Sequence, residues 1–207
     1  MNTKNLITST YNDIARQYAK LYFKLTPEDI PNIDKFFSYL KPESKVLDVG
    51  CGPGGGIAYS LKKGFEAVGV DISPKMIKIA TQKVPKGKFY VMNMVKMNFT
   101  NESFDGLMAA HSIIHIPSKK IPEVLAEFKR VLRPSGILLA LVLEGKPDQI
   151  VDEPMKAGAK IFLNLFTQKR LANFIKNAGF KILEQNTTSM IGIDGSTDKG
   201  ICIIAKK

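Results

Sequence analysis

At 207 residues, with 44% hydrophobic and 24% charged side chains, the chain has the make-up of one globular domain, long enough to build a core without a disulfide or metal staple. Two cysteines and two histidines argue against a disulfide framework or a zinc site, and no apolar run approaches the ~20 residues of a membrane span. The opening MNTKNLITSTYNDIARQYAK lacks the apolar stretch of a secretory leader, so a reducing, cytoplasmic setting is expected, and the net charge of +11 leaves nucleic acid open as a partner.

In chain order, Thr10–Tyr22 and Pro27–Leu40 read as helices. They lie within residues 1–41, outside the repeating unit, and form an expected helical lid over the ligand edge of a core spanning 42–207. From residue 45 onward short β-type runs alternate with helical-period segments, which predicts an α/β fold around a parallel sheet. The strands are expected at Lys45–Val49, Glu66–Val70, Lys88–Met92, Phe104–Ala110 and Ile137–Leu143. Ser73-Pro74 has the form of an N-cap followed by proline at the first helical position. Ile121 to Leu132 carries Val124, Leu125, Phe128, Val131 and Leu132 at helical spacing, and Arg133-Pro134 stops it. Thr167 caps a further helix, with Gly179 as its left-handed C-terminal residue. Strands at Lys181–Thr188 and Gly200–Lys206 have no helix between them. Their polar connection, Ser189–Lys199 with Gly192, Asp194 and Gly195, predicts an antiparallel pair. The whole reads as a doubly wound, Rossmann-like sheet of seven strands, five parallel plus a terminal hairpin, with ligand at the carboxyl ends of the strands.

The segment KVLDVGCGPGGG places a buried strand before a glycine turn and a helix start. Gly50, Gly52 and Gly54 allow a tight turn and a close backbone approach to a ligand. Gly50, Gly52 and Gly55 also satisfy G-x-G-x-x-G, so a nicotinamide dinucleotide competes as the ligand. Asp48 separates the two readings. A carboxylate near a pyrophosphate costs roughly 4 kcal/mol per charge pair at 4 Å and an effective dielectric near 20. The same carboxylate attracts the ammonium and sulfonium of S-adenosylmethionine. Asp71, 21 residues beyond Gly50, ends the second strand where it can accept ribose hydroxyls from either ligand.

YNDIARQY, VLDVGCGPG, GVDISPKMIKIA, SFDGLMAAHSIIHI, FKRVLRPSGILLA and LFTQKRLANFIKNAGFKIL follow one another along the chain. In these motifs it resembles the class I S-adenosylmethionine-dependent methyltransferases, of the group similar to quinone-biosynthesis and other small-molecule enzymes. The resemblance implies a seven-stranded sheet with its last strand antiparallel, and S-adenosylmethionine converted to S-adenosylhomocysteine. It implies that Gly50, Cys51 and Gly52 wrap the methionine part, that Asp71 holds the ribose, and that Ile72 and Met76 pack on the adenine. Such enzymes usually place an Asp after the third strand for the adenine amino group. Here Asn93 stands there, followed by Met94, and its amide oxygen keeps the acceptor without the charge.

His111 and His115 fall at and beyond the end of the fourth strand. His111 can contact the cofactor or act as a base, and His115 can deprotonate a substrate or pack at a helix start. Tyr11 and Tyr18 of the first helix are candidates to close over the methionine end. The acceptor pocket is expected between the N-terminal helices and the long Glu144–Phe166 connection, with Glu144, Lys156 and Lys160 as possible substrate contacts. Of the 30 basic residues 26 are scattered lysines, and no aromatic-rich RNA-binding signature accompanies them. A small-molecule methyl acceptor is therefore preferred over RNA or protein. An NAD-linked oxidoreductase and a non-catalytic cofactor-binding protein are the readings from other classes.

Overall fold

The computed structural model describes residues 3–191 and 197–207. Gly192, Asp194 and Gly195 of the expected terminal turn lie outside the described residues. Two helices, α1 (Thr3–Tyr22) and α2 (Ile30–Phe37), precede the first strand, β1 (Lys45–Val49). There follow α3 (Gly55–Lys62), β2 (Glu66–Asp71), α4 (Pro74–Lys83), β3 (Lys88–Val91) and β4 (Phe104–Ala110). Two short 3-10 turns lead into α5 (Ile121–Val131) and β5 (Leu132–Leu143). The C-terminal part holds β6 (Gln149–Asp152), β7 (Lys160–Leu163), α6 (Gln168–Asn177), β8 (Lys181–Ile191) and β9 (Thr197–Lys206).

The main sheet has seven strands in the order β3-β2-β1-β4-β5-β9-β8. Strands β1 to β5 pair in parallel, and β9 runs antiparallel between β5 and β8. Both faces are covered, and the period of two in each strand sorts its side chains between them. In β5, Leu138, Ala140 and Val142 face α5 and α6, while Ile137, Leu139 and Leu141 face Ile33, Phe36 and Phe37 of α2. Helix α5 buries Ile121, Val124, Leu125, Phe128 and Val131, a stripe at helical spacing. Ser73 caps α4 through Met76 N–H (3.1 Å) and Thr167 caps α6 through Arg170 N–H (3.2 Å), as the sequence suggested.

Several elements differ from expectation: β5 starts at Leu132 rather than Ile137, so that Arg133-Pro134 ends α5 but lies within the strand, and β8 and β9 are each three residues longer. Helix α1 starts at Thr3 rather than Thr10, because Leu6 and Ile7 pack against Ile161 and Phe162 far along the chain. Helix α2 is shorter, with Pro31 in its first turn and the residues before it in a turn. The Glu144–Phe166 connection carries the antiparallel β6–β7 hairpin, which forms its own two-stranded sheet. Among the described residues no helix is long and apolar enough to cross a membrane.

Candidate active site

The strand order reverses between β1 and β4, and a crevice opens there at the carboxyl ends of the parallel strands. The amides of Gly50 and Cys51 donate to Val70 O (2.8 and 3.0 Å), which ties the turn to β2. Gly50 sits at φ +76°, and a Cβ there would lie 2.3 Å from Ser112 Cβ. Glycine is therefore required twice over, by the backbone and by the approach of the chain that follows β4. The resulting cleft encloses about 350 Å³, the lower part of the range for small-molecule sites.

Asp71 lines it. Its carboxylate accepts Gly52 N–H (3.0 Å) and Ser73 N–H (2.8 Å), so it braces both the glycine turn and the start of α4. Burial raises its pKa, against the lowering effect of these amides. Beyond it Ile72, Met92, Asn93, Met94 and Val95 form an apolar-to-amide wall. The side-chain oxygen of Asn93 already accepts Val95 N–H (3.1 Å), which folds the segment after β3 back toward the cleft.

Helix α1 forms the opposite wall with Ile7, Tyr11 and Tyr18. The rings of Tyr11 and Tyr18 meet edge-on at 5.5 Å, and Tyr18 lies 4.7 Å from Tyr22. Burial raises the pKa of both Tyr11 and Tyr18, reinforced by neighbouring tyrosines and by Asp71 and Glu153. Asn12 fastens the helix to the Asp71 side. Its side-chain oxygen accepts from Ser73 Oγ (2.7 Å) and Lys75 N–H (3.2 Å).

Both histidines line the cleft. His115 Nδ1 lies 3.0 Å from Phe162 O and Nε2 lies 2.7 Å from Tyr11 Oη. A carbonyl only accepts, so Nδ1 carries the proton and Nε2 receives the Tyr11 hydroxyl. Burial lowers the His115 pKa to about 4, so the ring is neutral at pH 7. His111 instead faces Asp29, with Nε2 3.1 Å from Oδ1 and 3.3 Å from Oδ2.

Of the residues singled out in the sequence, Tyr18, Gly50, Gly52, Asp71, Ile72, Asn93, Met94, His111 and His115 come together in the cleft lining. Asp48, Cys51 and Met76 lie beneath it. The Asp48 carboxylate rests under the turn, where a Cβ on Gly56 would come within 2.4 Å of Oδ2. Burial, then the charge of Asp71, raises its pKa to about 7. Cys51 packs against Gly69, and burial pushes its thiol well up. Met76 is fully buried. Glu144, Lys156 and Lys160 are outside the lining and pair with Lys199 (3.9 Å), Asp13 (2.6 Å) and Asp152 (2.6 Å). Asp29 and Ser112 were not anticipated. Asp29 offers no motif, and its role is visible only where α2 meets the end of β4.

Residues 46–136 match the family model described as a methyltransferase domain. The chain is 32% identical over 164 residues to phosphoethanolamine N-methyltransferase 1 of Zea mays, covering 74% of this chain and 32% of that protein. It is 35% identical over 116 residues to 2-methyl-6-phytyl-1,4-hydroquinone methyltransferase of Synechocystis sp. (strain ATCC 27184 / PCC 6803 / Kazusa), covering 54% and 36%. The chain thus spans about a third of the length of these curated relatives. Among solved structures, a SAM-dependent methyltransferase of Methanosarcina mazei superposes with TM-score 0.78 at 21% identity, covering 89% of this chain and 98% of that one. Burkholderia thailandensis 1,6-didemethyltoxoflavin-N1-methyltransferase, solved with 1,6-didemethyltoxoflavin and S-adenosylhomocysteine, gives 0.78 at 19%, covering 98% and 88%. At such identities the structures share the fold. Residues 46–136 thus match a methyltransferase domain, on a fold shared with S-adenosylmethionine-dependent methyltransferases.

Proposed function

We propose that this chain is an S-adenosylmethionine-dependent methyltransferase acting on a small-molecule acceptor. The observation that carries the reading is the convergence of a close-approach glycine turn, a buried carboxylate and an enclosed aromatic wall on one cleft. Gly50 and Gly52 offer backbone to the methionine part, Asp71 its carboxylate to the ribose, and Ile72 and Met94 an apolar bed for the base. Asn93 keeps a free lone pair on its amide oxygen for the adenine amino group. Cys51 and Met76 support this surface from below, and Asp48 contributes negative potential under the turn. The cleft lining brings Gly50, Gly52 and Asp71 together with Ser112, whose buried hydroxyl has no hydrogen-bond partner, and this polarity fits such a ligand.

When bound, the cofactor supplies an electrophilic methyl on a sulfonium. The chain's own task is to hold a nucleophile in line at ~3–3.5 Å, exclude water and accommodate the acceptor's proton. Helix α1, within the N-terminal lid of residues 1–41, closes the cleft from above through Tyr11 and Tyr18. A small acceptor suits this enclosure better than RNA or a protein chain. Asp71 would serve either ligand, whereas the charge that Asp48, with its pKa near 7, carries under the turn disfavours a pyrophosphate and hence NAD. We also place the protein in the cytoplasm, in keeping with Cys51 and Cys202 as buried free thiols.

Calorimetry tests the reading. S-adenosylmethionine and S-adenosylhomocysteine are expected to bind and NAD to give no response, and tight NAD binding alone would overturn it. Asp71→Ala is expected to weaken S-adenosylhomocysteine by tenfold or more, and unchanged affinity would remove the ribose assignment.

A further inference from the structure

The two imidazoles of the cleft are in different states. His115 has both nitrogens engaged, by Phe162 O and by the Tyr11 hydroxyl. His111 has one engaged and one open. Its Nε2 faces the carboxylate of Asp29, which is 7% exposed, and a carboxylate accepts. The proton of the neutral ring therefore sits on Nε2, and Nδ1 presents a lone pair. That nitrogen is buried and has no hydrogen-bond partner. The next residue repeats the pattern, since Ser112 is 6% exposed and its hydroxyl is also buried and unpartnered. Both residues line the cleft.

Buried polar groups without partners are rare and ask for an explanation. His111 carries a second cost at the same place. Its backbone is in the left-handed region at φ 52°, held there by His111 N–H donating to Leu141 O (2.8 Å). Strain and unmet hydrogen bonding on adjacent residues of a cleft wall mark a place built to meet a ligand. An acid that orients one imidazole nitrogen and leaves the other free is also the arrangement that prepares a general base.

Resting on the methyltransferase reading, we propose that His111, oriented by Asp29, takes the acceptor's proton at Nδ1 while the Ser112 hydroxyl binds the same acceptor atom. The acceptor is then a protic group, a hydroxyl or an amine. Its heavy atom forms a bond to the methyl carbon as the sulfur–methyl bond breaks and leaves its electron pair on sulfur. The proton of that heavy atom passes to Nδ1, giving an imidazolium paired with the Asp29 carboxylate. Asp29 is a positioning residue and does not touch the acceptor.

With two histidines in the chain, long-range proton–nitrogen NMR of the full-length protein reads both tautomers directly. Wild type is expected to show one ring protonated on Nδ1, lost in His115→Gln, and one on Nε2, lost in His111→Asn. Asn tolerates the left-handed backbone, so His111→Asn keeps the fold. Asp29→Asn, whose amide can donate to Nε2, is expected to shift the His111 proton to Nδ1. In transfer of labelled methyl from S-adenosylmethionine to a small-metabolite extract, His111→Asn is expected to lower kcat by about 10²–10⁴-fold. Its affinity for S-adenosylhomocysteine stays within threefold of wild type. Asp29→Asn lowers kcat with KM little changed, and Asp29→Glu restores part of it. A His111 ring protonated on Nδ1 in wild type, or His111→Asn transferring within threefold of wild type, overturns the assignment alone. Failure of wild type to bind S-adenosylhomocysteine overturns both this and the function it rests on.

Discussion

Alanine at Gly50 is the sharpest probe of the turn, because two separable penalties meet there. The new methyl would lie 2.3 Å from Ser112 Cβ, and the backbone would remain at φ +76°. Forcing an L-residue into the left-handed region costs about 1–2 kcal/mol. Crowding a packed wall adds about 1–3 kcal/mol. Gly64→Ala serves as the control, since that residue has φ +88° with nothing within 4 Å of its added Cβ. It carries the backbone penalty and not the clash. For a chain of this length 1 kcal/mol moves Tm by about 2–4 °C. Gly50→Ala is therefore expected to lower Tm by about 4–20 °C and Gly64→Ala by about 2–8 °C, measured side by side by scanning calorimetry. Binding of S-adenosylhomocysteine should fall in the first variant, where Ser112 must move, and hold in the second. Equal destabilisation of the two, within about 0.5 kcal/mol, would refute the close approach of the β4 end to the turn.

Two pH predictions follow from the buried groups. His115 holds a folded pKa of about 4 against 6.5 for an ordinary histidine. Its neutral burial is fully tolerated above pH 6.5, and stability is lost as pH falls from 6.5 toward 4, by about 3 kcal/mol at most. Urea unfolding of His115→Gln should show that slope removed relative to wild type. Asp48 has the opposite sign, with a folded pKa of about 7 against 3.8. The unfolded chain ionises first, so stability declines as pH rises from 3.8 to 7. Asp48→Asn should gain on wild type by about 3 kcal/mol between pH 5 and pH 8, and a constant difference across that range would contradict the burial of an ionisable group there. Because the two slopes oppose each other between pH 4 and 6.5, each variant has to be read against wild type and not against the raw profile.

The sheet was legible because each of its parallel strands is a short apolar run closed by a turn signal. For β1 and β4 the expected and observed ends coincide. The β6–β7 hairpin was not, since Gln149–Asp152 and Lys160–Leu163 are strands of four residues each, and the helix they pack beside lies 140 or more residues away. Within the site, the sequence located the turn and Asp71, whose positions are dictated by strand ends. It aimed Asp48 at the ligand edge, but strand alternation separates it from Leu47 and Val49 and leaves its carboxylate beneath α3. Asp29 and Ser112 had no local signal. Their significance arises from a contact between α2 and the end of β4, 82 residues apart.

The wall formed by α1 is made from the first and the later parts of the chain. Thr10 Oγ1 donates to Lys160 O (2.8 Å), Lys156 pairs with Asp13 (2.6 Å), and Ile7 packs with Ile161 and Phe162. The separation of about 150 residues sets a timetable for synthesis. At about 5–20 residues per second, α1 leaves the ribosome roughly 8–30 s before its partners in β7 exist. During that interval Ile7 has none of its native neighbours from the hairpin, and the nascent helix presents this apolar position to chaperones. The cover of the cleft, translated well before its partners, is thus among the last parts to be locked in place.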